Sequence, residues 1–151
     1  MSGEAPIVQK LAELPAFLIS PHDTVRLAAL SGPAQGSSAS VFLEIWEPGG
    51  AQPLNSHADS AEIFIVLAGS AVAHSDAATV ALSAGDVLTL QPGSEHRIVN
   101  ASATERLYTI TVMADDGGFE KLVTSGTPVA LSGDDLDVLV RGLGAQARTA
   151  T

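Results

Sequence analysis

Gly49-Gly50-Ala51-Gln52-Pro53-Leu54-Asn55-Ser56-His57-Ala58-Asp59-Ser60-Ala61-Glu62, running on through Ile63-Phe64-Ile65-Val66-Leu67-Ala68 to Gly69, is the first of two stretches that decide the fold. The second is Gly85-Asp86-Val87-Leu88-Thr89-Leu90-Gln91-Pro92-Gly93-Ser94-Glu95-His96-Arg97-Ile98-Val99-Asn100. Each sets a polar cluster into an apolar, turn-punctuated chain. Strand alternation gives the first cluster its geometry: Glu62 shares a face with Phe64, Val66 and Ala68, so its carboxylate points where apolar side chains point. A buried carboxylate without a partner is costly, so something must neutralise it. His57 lies five residues earlier across a short turn, and His96 opens a later strand just after Gly93. Two imidazoles and one carboxylate are the donor set of a facial triad, which leaves coordination positions open for substrate or oxygen. Asn55, two residues before His57, could add a weak carbonyl ligand.

Outward from these clusters the chain reads as many short strands. Strands are expected at 39–47, 62–68, 70–75, 79–82, 86–90, 96–100 and 106–113, with an earlier one at 24–30. Turn signals separate them: Pro48-Gly49-Gly50, Gly69-Ser70, Ser75-Asp76, Ala84-Gly85-Asp86, Gln91-Pro92-Gly93 and Asn100-Ala101-Ser102. Such spacing predicts an all-β sandwich or barrel, with the barrel core over about 40–113. Helical spacing occurs only towards the ends. Residues 5–14 place Ile7, Leu11 and Leu14 on one face before Pro15, and Phe119 to Val123 reads as a short helix. Ser132 caps a clearer helix over 133–143, with Asp135 in the capping-box position and Leu136, Leu139, Val140 and Leu143 on its apolar face. Residues 145–151 read as a frayed tail. No linker divides the chain, so one domain over 1–151 is expected.

Composition narrows the function classes. At 151 residues and 46% hydrophobic content the chain can bury a proper core. The absence of cysteine excludes disulfides, thiolate nucleophiles and zinc fingers. A net charge of −10 with no basic cluster argues against nucleic acid and against anionic membrane surfaces. The start of the chain has neither the basic residues nor the apolar run of a secretion signal, and no stretch is long enough for a membrane span. A soluble, cytoplasmic protein is expected. The outward side chains Ile63, Ile65 and Leu67 need cover from the terminal segments or from a second subunit, so a homodimer is expected.

The two clusters resemble the paired motifs of the cupin superfamily. The first family motif is a glycine, five residues, His-x-His, three or four residues, a glutamate, six residues and a glycine; here it reads Gly49, Asn55-Ser56-His57, Glu62 and Gly69. The second is a glycine, five residues, Pro-x-Gly, two residues, a histidine, three residues and an asparagine; here it reads Gly85, Gln91-Pro92-Gly93, His96 and Asn100. The later segments, Arg106-Leu107-Tyr108-Thr109 and Gly118-Phe119-Glu120, are similar to those of small single-domain, quercetinase-like cupins. The resemblance implies a double-stranded β-helix, or jelly roll, whose lumen holds one divalent metal on three histidines and a glutamate. Asn55 stands where the first histidine is expected, and Gln91 where the motif proline is. A carboxamide is a poorer donor than imidazole, which favours iron(II) or manganese, with zinc, nickel or copper as the other candidates.

Other polar and aromatic residues read more simply. Asn100 is a turn residue satisfying local backbone; His74 and His22 face solvent; Tyr108 and Trp46 are packing aromatics; Arg97 and Arg106 form surface ion pairs. Two functions follow. One is a metal-dependent enzyme in which His57, Glu62 and His96 hold the metal, with Asn55 as an optional fourth ligand and Glu62 as the candidate catalytic residue. Its substrate would be a small apolar enol or phenol, undergoing dioxygenation, isomerisation, decarboxylation or cyclisation. The other is a non-catalytic barrel that binds a small ligand or serves as a sensor, with a degenerate or empty metal site.

Overall fold

Runs of alternating and β-branched residues become strands almost wherever they occur. The computed structural model describes residues 3–139 and 141. Its strands are β1 (Ala16–Leu18), β2 (Val25–Ser31), β3 (Ser40–Trp46), β4 (Glu62–Ala68), β5 (Ser70–Ser75), β6 (Ala78–Ser83), β7 (Val87–Leu90), β8 (His96–Asn100), β9 (Leu107–Met113) and β10 (Thr127–Val129). Helix α1 spans Phe119–Thr124, and α2 covers 133–139. Seven strands form one sheet in the order β10-β1-β2-β3-β9-β4-β7, and three form a second in the order β6-β5-β8. The pairings are antiparallel, and the two sheets make a jelly-roll barrel.

The barrel closes over an apolar interior because alternate residues of each strand face it. Phe42 and Trp46 of β3, Phe64 and Val66 of β4, Ala71 and Ala73 of β5, and Ile98 of β8 meet there. Each large side chain so buried contributes roughly 1.5–3 kcal/mol relative to exposure. The opposite face of the large sheet is also covered. Leu43 and Ile45 of β3 and Tyr108 of β9 pack with Leu139 of α2. Leu67 joins that outer cluster, whereas Ile63 and Ile65 are half-buried. Gly69, between β4 and β5, has φ of +92°, and a Cβ there would lie 2.8 Å from the Arg106 carbonyl. Only glycine suits both the left-handed backbone and that close approach.

The ends depart from expectation. In place of a helix over 5–14 there is one 3-10 turn, Leu11–Glu13. Ile7 is 61% exposed and Val8 85%, so the apolar face has nothing to pack against, and a segment this short cannot hold a helix by propensity alone. The Gln9 side chain instead donates to the Leu30 carbonyl (2.7 Å), tying the segment to β2. The sheet also reaches beyond 40–113. It takes in β2, and the short strands β1 and β10, which pair with each other. Three-residue strands carry too little periodicity to be read from sequence. At the C-terminal end Ser132 and Asp135 make the expected reciprocal cap, with Ser132 N–H on Asp135 Oδ2 (2.9 Å) and Asp135 N–H on Ser132 Oγ (3.1 Å). Val140, Leu143 and residues 145–151 lie outside the described residues. Among the described residues no helix is long and apolar enough to cross a membrane.

Candidate metal centre

Backbone pairing brings the sequence-predicted donors together. Glu62 is the first residue of β4, held between Leu90 of β7 and Met113 of β9, with Phe64 and Val66 following it on the inward phase. His96 is the first residue of β8. Asn55 is joined to it by a two-hydrogen-bond bridge: Asn55 N–H to the His96 carbonyl (3.0 Å) and His96 N–H to the Asn55 carbonyl (2.8 Å). Directly opposed residues in an antiparallel pair project to the same side, which sets Asn55 beside His96. Gly93 N–H donates to the His57 carbonyl (2.8 Å), so the second motif's turn clips onto the first motif's loop.

The result is a compact donor cluster. His57, Glu62 and His96 each offer a ligand atom, and these atoms lie within 4.8 Å of one another. His96 Nε2 is 2.9 Å from Glu62 Oε2, and His57 Nε2 is 3.5 Å from the same oxygen. Glu62 and His96 are buried, while the His57 side chain is 24% exposed. His96 Nδ1 sits 3.1 Å from the Ser94 carbonyl. A carbonyl only accepts, so the ring proton belongs on Nδ1 and Nε2 presents a lone pair, the tautomer a metal ligand needs.

Whether these residues suit a metal is answered by their unmet hydrogen bonds. Despite the short separation, His96 Nε2 and Glu62 Oε2 do not align as a hydrogen bond, and each is a buried polar atom without a hydrogen-bond partner. Asn55 Oδ1 is another. Unpartnered buried polar atoms cost about 1–3 kcal/mol each, more where charge is involved. A single cation answers the two nitrogens and the carboxylate at once, and the carboxamide oxygen fits it as a weaker donor. The donor set therefore fits a divalent metal ion. Replacing Asn55 with histidine, Asn55→His, is expected to tighten metal binding about tenfold or more, roughly 1–2 kcal/mol, by adding an imidazole beside His96. Calorimetric metal titration of parent and variant at one pH reads the difference, and a weakened variant would count against Asn55 as a neighbour of the metal.

The cluster opens onto two cavities. An inner lumen of about 70 Å³ is walled by Val25, Leu27, Trp46 and Phe119 and reaches Glu44, Asn55, His57 and Glu62. An outer cleft of about 360 Å³ lies beyond His57 and Phe119, with Asp59 and Asp115 on its rim. His57 and Phe119, in edge-to-face contact at 6.0 Å between ring centroids, line both. No lysine or arginine lines either cavity among the described residues.

Sequence reasoning missed three polar residues of the lumen, Asp23, Gln52 and Glu44. Glu44 is buried in β3, between Phe42 and Trp46 on the inward phase, so the alternation that singled out Glu62 also marks it. Burial, then the charge of Glu62, pushes its carboxyl up to about 8, while the Thr111 and Thr109 hydroxyls work the other way. The remaining polar residues have plainer places. Asn100 donates to the Trp46, Glu47 and Glu105 carbonyls and accepts from Ser102 N–H. His22, His74 and Arg97 are exposed. Arg106 pairs with Glu47 and Asp135, and Tyr108 packs in the outer cluster, but Trp46 is both a core residue and a lumen wall.

Known proteins place this architecture. Residues 42–113 match the family model described as the Cupin domain. No curated protein matches the chain in sequence. Among solved structures, a Cupin 2 conserved barrel domain protein from Salinispora arenicola is 27% identical, with a TM-score of 0.58 over 81% of this chain and 99% of that one. A predicted oxalate decarboxylase from Thermotoga maritima is 25% identical, with a TM-score of 0.62 over 71% and 97%. The cupin domain of Cnp3 from Schizosaccharomyces pombe, 18% identical with a TM-score of 0.56, is matched over 64% of this chain, which spans 65% of that domain's chain. The paired motifs, the jelly-roll barrel and these matches agree: residues 42–113 form a cupin domain.

Proposed function

We propose that this cupin is a metal-dependent enzyme for a small, neutral organic compound with an enolic or phenolic oxygen. His57, Glu62 and His96 would hold one divalent ion, with Asn55 as a weak fourth ligand. The observation that carries this reading is the convergence of the His57, Glu62 and His96 donor atoms, with the buried Glu62 Oε2 and His96 Nε2 left without hydrogen-bond partners. Two nitrogen and two oxygen donors suit iron(II) or manganese better than a softer metal. A metal bound there would supply Lewis-acid polarisation of an oxygen ligand or activation of dioxygen.

The chain's own residues do the rest. His96 is locked in orientation through Nδ1 on the Ser94 carbonyl. Phe119, Trp46, Val25 and Leu27 exclude water from the lumen and favour an apolar ligand body. Glu62 is the candidate base, holding at its carboxylate the proton that leaves an enolic or phenolic hydroxyl. The activity in the Thermotoga maritima protein's name fits this lumen less well. Oxalate is a dianion, and here Asp23 and Glu62 line the lumen with no cationic side chain beside them.

One observation favours a second reading, a barrel that only binds a ligand: the asparagine at position 55 weakens the donor set. Metal analysis of protein purified without chelator separates the two. Iron or manganese near one per chain is the expected result, and metal-free protein carrying an organic ligand would replace the enzyme reading with the binding one.

A further inference from the structure

We propose that Gln52 sets the lumen's choice of ligand. Its Oε1 accepts a hydrogen bond from a second hydroxyl of the molecule held at the His57–Glu62–His96 centre, a hydroxyl not adjacent to the oxygen at the ion. The inference rests on the metal-centre reading above and adds a residue that is no part of the paired motifs' donor set.

Backbone register aims this side chain. Residues 50–52 run antiparallel to β8, with Asn100 N–H on the Gly50 carbonyl (2.8 Å) and Gln52 N–H on the Ile98 carbonyl (3.2 Å), around the Ala51–Val99 bridge. Gln52 therefore stands opposite Ile98, as Asn55 stands opposite His96. Opposed residues of an antiparallel pair project to one side. Ile98 and His96 are buried on the same face of β8, two residues apart, and Gln52 and Asn55 accordingly both line the lumen. Arg97 Nε donates to the Gln52 carbonyl (3.3 Å), so the main chain is held from both sides while the side chain stays free for a ligand.

The lumen leaves that side chain unanswered. Of the other polar groups in its wall outside the metal donors, Asp23 Oδ2 accepts from Ser20 N–H (2.8 Å) and Glu44 Oε2 from the Thr111 hydroxyl (2.8 Å). Gln52 Oε1 is buried and has no hydrogen-bond partner. The metal donors gather at the His96 end of this row, about 7 Å along the strand from the Ile98 end. Oε1 is thus placed for the far side of a ligand and not for the ion. A ligand O–H there satisfies the buried oxygen, whereas an ether in its place leaves it unpaired. A carboxamide does not titrate, so its accepting capacity is the same with the ion bound as without it.

The test uses cobalt(II)-loaded parent, Gln52→Met and Gln52→Leu, titrated calorimetrically at neutral pH. The ligands are hydroquinone, resorcinol and nicotinyl alcohol, each beside its monomethyl ether; the last pair reaches the ion through its ring nitrogen. Methionine keeps nearly the length of glutamine without its carbonyl, and the second variant ensures that one misfolded protein does not decide the result. The parent is expected to prefer the hydroxyl compound over its ether by about threefold to tenfold in at least one pair, and both variants to lose that preference. Cobalt affinity is expected to stay within about twofold. A preference that survives in both variants, or its absence in the parent, overturns the proposal; a carboxamide that donated its N–H would treat hydroxyl and ether alike. A tenfold loss of cobalt affinity in both variants also overturns it, since Gln52 would then be a ligand of the ion. A parent that binds nicotinyl alcohol but neither phenol removes the substrate reading alone, because the pyridine pair still reads Gln52. A parent that binds none of the six ligands overturns the proposal, and its cobalt titration shows whether the metal centre falls with it.

Discussion

Glu62→Ala is expected to abolish metal binding, with affinity falling by about three orders of magnitude or more, roughly 4 kcal/mol. Glu62 is the only carboxylate in the donor group, and its Oε2 is the atom both histidine Nε2 atoms approach. Without it, a dication would sit on two imidazoles and a carboxamide, with no anion among its donors to compensate its desolvation. Glu62→Gln sharpens the test, because it keeps the shape and removes the charge. A ligand that binds only the native state adds about 2.7 kcal/mol at a hundredfold excess over its dissociation constant. Manganese or iron(II) should therefore raise the melting temperature of the parent and leave both variants where they are. In metal-free protein the sign differs: loss of a buried, unpartnered carboxylate should leave stability unchanged or raised. Parent-like metal affinity in Glu62→Gln would show that the cluster is a hydrogen-bonded remnant and no metal centre.

The legible part of this site was the part that breaks a periodic rule. Glu62 and His96 stand where apolar residues belong, and the turn glycines and prolines fixed their spacing well enough to place β4, β5 and β8 to the residue. Glu44 breaks the same rule on β3 and was passed over because no motif pointed to it. Its partners Thr109 and Thr111 lie on β9, far away in sequence, so only the β3–β9 register reveals them. The misread helix at 5–14 has the opposite cause. Helical spacing states which side chains could share a face, but a partner surface decides whether they do, and Ile7 has none. The helix at 133–139 was legible because its cap is local: Ser132 and Asp135 need only each other. What those two residues do beyond the cap was not legible at all.

Asp135→Ala is expected to destabilise the protein by about 3–5 kcal/mol, the usual cost of removing one partner from a buried ion-pair network. Asp135 is fully buried on α2 and accepts from Tyr108 Oη (2.7 Å), Arg26 Nη1 (2.9 Å) and Arg106 Nη1 (3.2 Å), besides its own cap. Its loss leaves two guanidinium groups and a phenol unmatched under the helix, with Glu47 the remaining anion for both arginines. Burial alone would raise the Asp135 carboxyl. The Tyr108 hydroxyl, the Ser132 N–H and hydroxyl, and Arg26 overcome it and hold the group near 2, below its ordinary 3.8. Because the folded state binds this proton more weakly than the unfolded one, the contribution is complete above about pH 4 and fades as pH falls towards 2. Urea unfolding at neutral pH measures the loss directly, and repeating it down to pH 2.5 should bring parent and Asp135→Asn together. A deficit under 1 kcal/mol for Asp135→Ala would mean that α2 docks through Leu139 and its apolar neighbours alone. Metal affinity supplies the control. The network lies on the outer face of β2 and β9, whose alternate residues line or brace the lumen, so a variant that loses stability but keeps its metal confirms that the sheet separates the two tasks.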